Sequence, residues 1–434
     1  MNPFAEKLNN QIRKNSSSTF ASLSKLGKDI FFPPGILTQA GQAKKKAHRF
    51  NATIGIALEE QKPMCLDVTK PYFSNLEADE IYTYAPPEGL PQLRKLWKEK
   101  MLRLNPSLIG KSISNPMVTS ALTHGLCLVG DLCVDPGDVV ITADKMWGVY
   151  RLNFETRKQA QIVTFPLFND QDGFNIEAFT ELLATEAKKR EKLIVVLNFP
   201  NNPTGYTLSE KEAQEVYNTL KNQADQGTKI VTISDDAYFG LFYENSIKES
   251  LFAGLCNLHE NILAIKLDGA TKESYVWGFR TGFLTIGTKS ENSAALYEAM
   301  EMKVKGLIRT TVSSGNHASQ SILEKILVTK EYYENLAEKF QILKARAQRL
   351  KTVLSNSKYD DEWGIYPFNS GYFMCLKLHK VEAEDLRIHL LDKYGIGTIA
   401  LGKTDLRIAF SCIEEEQIEE LIDLIYQGAK DLSS

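Results

Sequence analysis

Three short stretches of this chain place polar groups where an apolar run has just ended. Asn198-Phe-Pro-Asn-Asn-Pro-Thr-Gly205 follows one run, Ser234-Asp-Asp-Ala-Tyr238 closes a second, and Asp268-Gly-Ala-Thr-Lys272 follows a third. Arg280 comes eight positions after Lys272. Taken singly, each has an ordinary reading: a loop lysine is usually solvated, and Asn201 and Asn202 before Pro203 suit a plain turn. Together they offer more. Lys272 brings an amine that can condense with an aldehyde. Arg280 suits a phosphate, and Asp235 can pair with a protonated ring nitrogen. Tyr238 and Asn202 can hydrogen-bond a phenolic oxygen. Aldehyde, phosphate, ring nitrogen and phenolic oxygen are the four handles of pyridoxal 5′-phosphate. Small residues around Lys272 leave its amine free to reach the aldehyde.

Such a set needs elements that bring strand ends to one edge. VVITA (139–143), QIVTF (161–165), KLIVVLNF (192–199), KIVTISD (229–235), NILAIKL (261–267) and GFLTIG (282–287) read as buried strands rich in β-branched residues. Between two of them, Ser209 and Glu212 form a capping box, and Ala213, Val216, Tyr217 and Leu220 recur at helical spacing. Strand, helix, strand predicts an α/β fold: a mostly parallel central sheet with helices on both faces. Ligands of such sheets sit at the carboxyl ends of the strands. Past residue 315 long helical patterns dominate, with shorter strands at 372–378 and 406–410; Ile418, Leu421, Ile422 and Ile425 share one face of a last helix. The expected division is an N-terminal segment, 1–69, joining a smaller α+β domain at 315–434, with a large cofactor-binding domain at 70–314.

Composition narrows the function classes. Of 434 residues, 43% are hydrophobic and 24% charged, and the net charge is −3, which argues against a general nucleic-acid binder. Six cysteines form no Cys-x-x-Cys and no Cys/His cluster with zinc spacing, so reduced thiols and no metal are expected. The N-terminus MNPFAEKLNNQIRKNSSS has no apolar core of signal-peptide length. No apolar run approaches the ~20 residues of a membrane span. The expectation is a soluble, cytoplasmic protein.

The motifs in order, NNPTG, DDAYFG and GATK with an Arg-Thr-Gly following, resemble those of the class I/II aminotransferases, pyridoxal-phosphate enzymes of fold type I, over the chain from about residue 50 to its end. The resemblance implies roles. Lys272 matches the lysine that joins the cofactor aldehyde and later moves the proton; Arg280 matches the phosphate arginine. Asp235 matches the carboxylate under the pyridine nitrogen, and Tyr238 and Asn202 match the donors to the 3-oxygen. Pro203 matches a proline often cis in the family, which would fix Asn202. In TSALTHGL, Leu122 and Thr123 match the helix start that meets the phosphate. Trp147 of KMWGVY matches the ring-stacking indole. Tyr84 of YAPPEGLPQLR matches a tyrosine that reaches the phosphate of the neighbouring subunit, which implies a homodimer with shared sites. Arg407 of LRIAF matches the arginine that holds the substrate α-carboxylate. Arg309, in IRTTVSS, matches a second arginine that binds the side-chain carboxylate of a dicarboxylic substrate across the dimer.

Ordinary alternatives stand beside these: Trp147 as core, Tyr84 packed on its own subunit, Arg407 in a surface pair, Arg309 in an interface ion pair. The chain departs from the pattern at Tyr275, Thr281 and Gly269; Gly269 stands where many members have a phosphate-contacting serine, with Thr271 as its substitute. The activity implied is transfer of an amino group from an L-amino acid (aspartate, glutamate or aromatic) to a 2-oxo acid. Lyase or decarboxylase chemistry on the same scaffold is the alternative. A ligand-sensing regulator is the other, but the first 50 residues are too few and too mixed in charge for a DNA-binding module.

Overall fold

The computed structural model describes residues 2–33 and 35–433; Met1, Pro34 and Ser434, which fall within the expected domain ranges, lie outside the described residues. The central sheet has seven strands: β1 (Met117–Thr119), β2 (Val139–Ala143), β3 (Gln161–Phe165), β4 (Lys192–Asn198), β5 (Lys229–Asp235), β6 (Ile262–Gly269) and β7 (Gly282–Gly287). Their order is β1-β7-β6-β5-β4-β2-β3. Strands β2 to β6 pair in parallel, and β7 runs antiparallel to both β6 and β1. The expected α/β class with a mostly parallel sheet is borne out.

The strand sequences explain the layering. Strand side chains alternate between faces, and both faces here are apolar. Val140, Ile194, Val196 and Ile265 enter one core. Val139, Ile141, Leu193 and Val195 enter another on the opposite face. Helices cover both: α1 (Ile36–Lys46), α2 (Pro91–Leu104), α3 (Ala121–Cys133), α4 (Glu210–Asp225), α5 (Ala270–Glu273), α6 (Ser293–Thr311), α7 (Lys330–Leu354) and α8 (Ile418–Ser433) are those used below. In α4 the Ser209–Glu212 capping box forms as read from the sequence, and Ala213, Val216 and Leu220 are buried. In α8 the stripe Ile418, Leu421, Ile422 and Ile425 is buried. No helix among the described residues is long and apolar enough to cross a membrane.

A second sheet, antiparallel, holds β8 (Trp363–Ile365), β9 (Phe373–Leu378), β10 (Ile399–Leu401) and β11 (Asp405–Ala409) in the order β8-β9-β11-β10. The N-terminal stretch meets this part of the chain: Phe50–Asn51 pairs in parallel with Ile396–Gly397. Gly205, the last residue of NNPTG, fastens the two sheets' surroundings together. Its carbonyl accepts from the amides of Asn369 and Ser370, both at 2.9 Å. Its φ is +76°, and a Cβ there would lie 2.1 Å from the Phe373 carbonyl oxygen and 2.8 Å from that of Ser370. Only glycine fits: the left-handed conformation disfavours a side chain, and backbone atoms cannot yield. Gly205→Ala should therefore destabilise the protein by roughly 2–4 kcal/mol, overpacking plus a left-handed penalty. Chemical denaturation would measure the loss; a change below about 0.5 kcal/mol would show that the seam gives way freely.

Candidate active site

A cavity of about 330 Å³ opens where the strand ends converge. Lys272, Asp235, Tyr238, Asn202, Leu122, Thr123, Trp147, Arg280 and Arg407 all line it. Nine expected site residues, scattered over nearly three hundred positions, thus line one cavity.

Lys272 sits on α5, directly after β6 ends. Its Nζ lies 5.0 Å from the centre of the Tyr238 ring. Burial drives its pKa down from 10.5 to about 8, Arg280 adds to the fall, and the carboxylate of Asp235 opposes it. Asp235 ends β5 and is buried. Burial pushes its carboxyl up; the Tyr150 hydroxyl, Lys272 and the Ala237 N–H hold it back. The Tyr150 hydroxyl donates to Asp235 Oδ2 at 2.5 Å, and the Ala237 amide donates to Oδ1 at 3.2 Å. Burial also raises the Tyr238 hydroxyl, so it stays a proton donor at neutral pH.

Arg407 on β11 faces the same cavity from the second sheet. It is buried, donates to Asn202 Oδ1 at 3.0 Å and to the Thr53 carbonyl at 2.9 Å, and lies 4.1 Å over the Phe373 ring. It has no carboxylate partner in these contacts, and its Nε is buried with no acceptor. A buried guanidinium without an anion is costly, and its planar fork is suited to a carboxylate.

Asn202 is placed by hydrogen bonds. Its amide donates to Asn198 Oδ1 at 2.9 Å and its Oδ1 accepts from Arg407, which leaves the side-chain NH₂ as the free donor. The expectation of a cis bond before Pro203 is corrected: the cis peptide among the described residues is Phe199–Pro200. Asn202 is held by Asn198 and Arg407 instead.

The phosphate end is equally legible. Helix α3 begins at Ala121, and no side chain caps it, so its first amides remain available to an anion. Ala121 itself is left-handed, with φ 64°. Gly269 cannot be the serine of the general pattern, because a Cβ there would lie 2.8 Å from Gly282 Cα and from the Thr281 carbonyl oxygen. Thr271 lines the cavity, and its Oγ1 is buried without a partner. Trp277 Nε1 is in the same condition. Three unpartnered polar groups, an uncapped helix and a carboxylate lacking a strong cation partner fit an occupant that is anionic at one end and cationic at the other. Pyridoxal phosphate has that character.

Two expected site residues lie elsewhere. Tyr84 is 93% exposed and outside this chain's own cavity. Arg309, on α6, is exposed and donates to Ser313 Oγ at 2.6 Å. Conversely, sequence reading passed over Tyr150, Asn198, Trp277, Phe373, Gly55, Ile36 and Leu37, all of which line the cavity. Tyr150 had a signal, three residues past Trp147 in KMWGVY. Asn198 had one too, as the last residue of β4. Ile36 and Leu37 had none, since only tertiary folding brings α1 there.

The model of the family "Aminotransferase class I and II" matches residues 52–425. The chain belongs to that family. It is an enzyme, a transaminase. Similar proteins of the family include an aspartate aminotransferase of Sulfurisphaera tokodaii, 22% identical over 361 residues, which span 80% of this chain and 84% of that one. An aspartate/prephenate aminotransferase of Thermus thermophilus is 31% identical over 204 residues, 46% of this chain and 47% of that one. Among solved structures, an aminotransferase from Anaerococcus prevotii superposes with a TM-score of 0.82 at 26% identity, covering 94% of this chain and 98% of that one.

The lowered Lys272 amine has a thermodynamic sign. Between pH 8 and 10.5 the unfolded chain binds a proton that the cofactor-free folded protein does not, so stability rises with pH across that window. Below about 8 both states carry the proton, and the fold bears the full cost of the buried charge. A fall from 10.5 to about 8 corresponds to a cost on the order of 3 kcal/mol. The cofactor-free Lys272→Met variant should therefore be more stable than its parent at pH 7, with the gap closing towards pH 10.5. Denaturant unfolding at several pH values tests this; a gap independent of pH would mean that Lys272 is not desolvated.

Proposed function

We propose that this transaminase works with pyridoxal 5′-phosphate held in the cavity, moving an amino group from aspartate, glutamate or an aromatic L-amino acid to a 2-oxo acid. The observation that carries the reading is the meeting of a half-buried, pKa-lowered Lys272 with the buried Asp235 in one cavity, whose outlying cations are Arg280 and Arg407. When bound, the cofactor supplies an electron sink that makes the Cα–H bond of an amino acid acidic. The protein's residues do the rest. Lys272 takes the Cα proton and returns it, and an amine poised near neutrality suits both directions. Asp235, steadied by Tyr150, holds a proton on the ring nitrogen by its charge. Tyr238 and the Asn202 NH₂ donate to the phenolic oxygen. The Leu122 and Thr123 amides, Thr271 and Arg280 would hold the phosphate, and Trp147 lines the same cavity as an apolar surface for the ring. Arg407 grips the α-carboxylate and fills its unpartnered valence.

Tyr84 and Arg309 support a homodimer with shared sites: both are exposed and neither lines its own cavity, which leaves them accessible to a neighbour's. Relatives named for aspartate support a dicarboxylic donor. Six unpaired cysteines suit a reducing cytoplasm. Nothing in the site favours a membrane or nucleic-acid partner.

Lys272→Ala should keep phosphate-dependent cofactor binding and lose transamination by several orders of magnitude, because both the covalent hold and the proton carrier go with the amine. Product analysis with 2-oxoglutarate and a panel of amino donors reads this. Near-normal turnover would sink the assignment, and ammonia or carbon dioxide in place of glutamate would point to elimination or decarboxylation. Arg309→Leu should lose aspartate and glutamate selectively, by roughly 2–5 kcal/mol in kcat/KM, while phenylalanine is spared. Equal losses for acidic and aromatic donors would make Arg309 structural.

A further inference from the structure

Behind the cavity lies a second set of charges that the reaction as described leaves unused. Lys100 comes from α2, Asp236 follows β5, Lys266 and Asp268 sit on β6, and Glu273 ends α5. All five are buried, with side-chain exposures of 1–6%. Lys266 Nζ meets Asp236 Oδ2 at 2.5 Å and Asp268 Oδ2 at 2.8 Å. The Ser250 hydroxyl also donates to Asp236, at 2.6 Å, and the Trp97 indole donates to both oxygens of Asp268 at 3.2 Å. Lys100 Nζ meets Glu273 Oε2 at 2.6 Å, and Glu273 Oε1 is buried with no partner.

The placement follows from backbone geometry. Neighbours along an extended chain point to opposite sides, so Asp235 faces the cavity and Asp236 the back. Neighbours in a helix are turned about 100°, so Lys272 faces the cavity and Glu273 turns towards α2. Asp235 and Lys272 line the cavity; Asp236 and Glu273 do not. Each working residue thus has a charged neighbour in sequence, pinned from behind by a lysine. A buried ion pair is a poor way to gain stability, since apolar groups of the same volume do as well or better. It is a good way to fix a position, because its geometry is narrow.

We propose that Lys266 and Lys100 are positioning residues: by gripping Asp236 and Glu273 from the back of the sheet they set where Asp235 and Lys272 stand at the front. The inference rests on the roles given to Asp235 and Lys272 above. It separates two functions within each residue pair, one member facing the chemistry and the other anchoring it. Misplacement of a reacting group by about 1 Å costs roughly 100-fold in rate, so the anchors matter to turnover without touching substrate.

The test is the full-length double variant Lys100→Met/Glu273→Met, which removes one anchor without stranding a charge. Its thermal midpoint should stay at or above the parent's. In the cofactor-free protein, the pH dependence of Lys272 labelling by an amine-selective reagent, followed by mass spectrometry, should move up by one pH unit or more from the parent's own midpoint, as the amine loses part of its desolvation. In the loaded enzyme kcat should fall roughly 10- to 100-fold with KM for the amino donor changed less than about threefold. Lys100→Arg, which keeps the pair, should retain most of the parent's kcat. A folded double variant with unchanged labelling and unchanged kcat overturns the proposal. Should the double variant not fold, Glu273→Gln decides by the same labelling curve: an upward shift supports the anchor, and an unshifted curve overturns it. Loss of the proposed function shows differently, as a parent enzyme without transamination whose labelling curve still responds to the variant.

Discussion

The parallel pairing of β5 with β6, which sets Asp235 beside Leu267, governs the site. It fixes the end of β5 against the strand that runs into Lys272 five residues later. Asp235 and Lys272 can then share one cavity although they come from different crossovers. The pairing is secured by apolar burial on both faces of the sheet, the largest favourable term available to a fold. The polar cluster spends a small part of that stability. Its front half is left incompletely paired: Asp235 is pushed towards neutrality, Lys272 towards the free amine, and Arg407 lacks an anion. Perturbed groups of opposite kind in one cleft are what a reactive site needs.

The back half behaves differently. Lys266 has two carboxylates within 2.8 Å, and Lys100 has one. Strain at the front is thereby set against tight pairing one residue away. Neighbouring residues in the chain divide this labour because strand and helix geometry turn them to different sides.

Much of this was legible in the sequence. Strands β2, β3, β5 and β7 fall where the β-branched runs place them, because a strand buried on both faces must be apolar throughout. The polar stretches that follow β4, β5 and β6 mark the sheet edge for the same reason: nothing apolar needs covering there. What escaped was of two kinds. Strand β1 has three residues, too few for a period to show. Ile36, Leu37 and the lysine anchors reach their partners only through tertiary packing, and local pattern carries no trace of it. Lys266 lay inside the NILAIKL run, and its partner Asp236 stands thirty positions earlier. Pro203 shows the opposite limit: a turn motif read correctly in outline placed the cis bond at the wrong proline.

Arg407 belongs to the second sheet and Lys272 to the helix that follows β6 of the first, while the Gly205 carbonyl is a point of backbone contact between the two parts. A substrate with its carboxylate at Arg407 and its reacting end in the cavity beside Lys272 would act as a strap across that seam. Linkage then runs both ways: the tighter the strap, the stiffer the seam, and a seam loosened by any other cause must weaken the strap. Affinity would then be partly a mechanical property of a joint that no substrate atom touches.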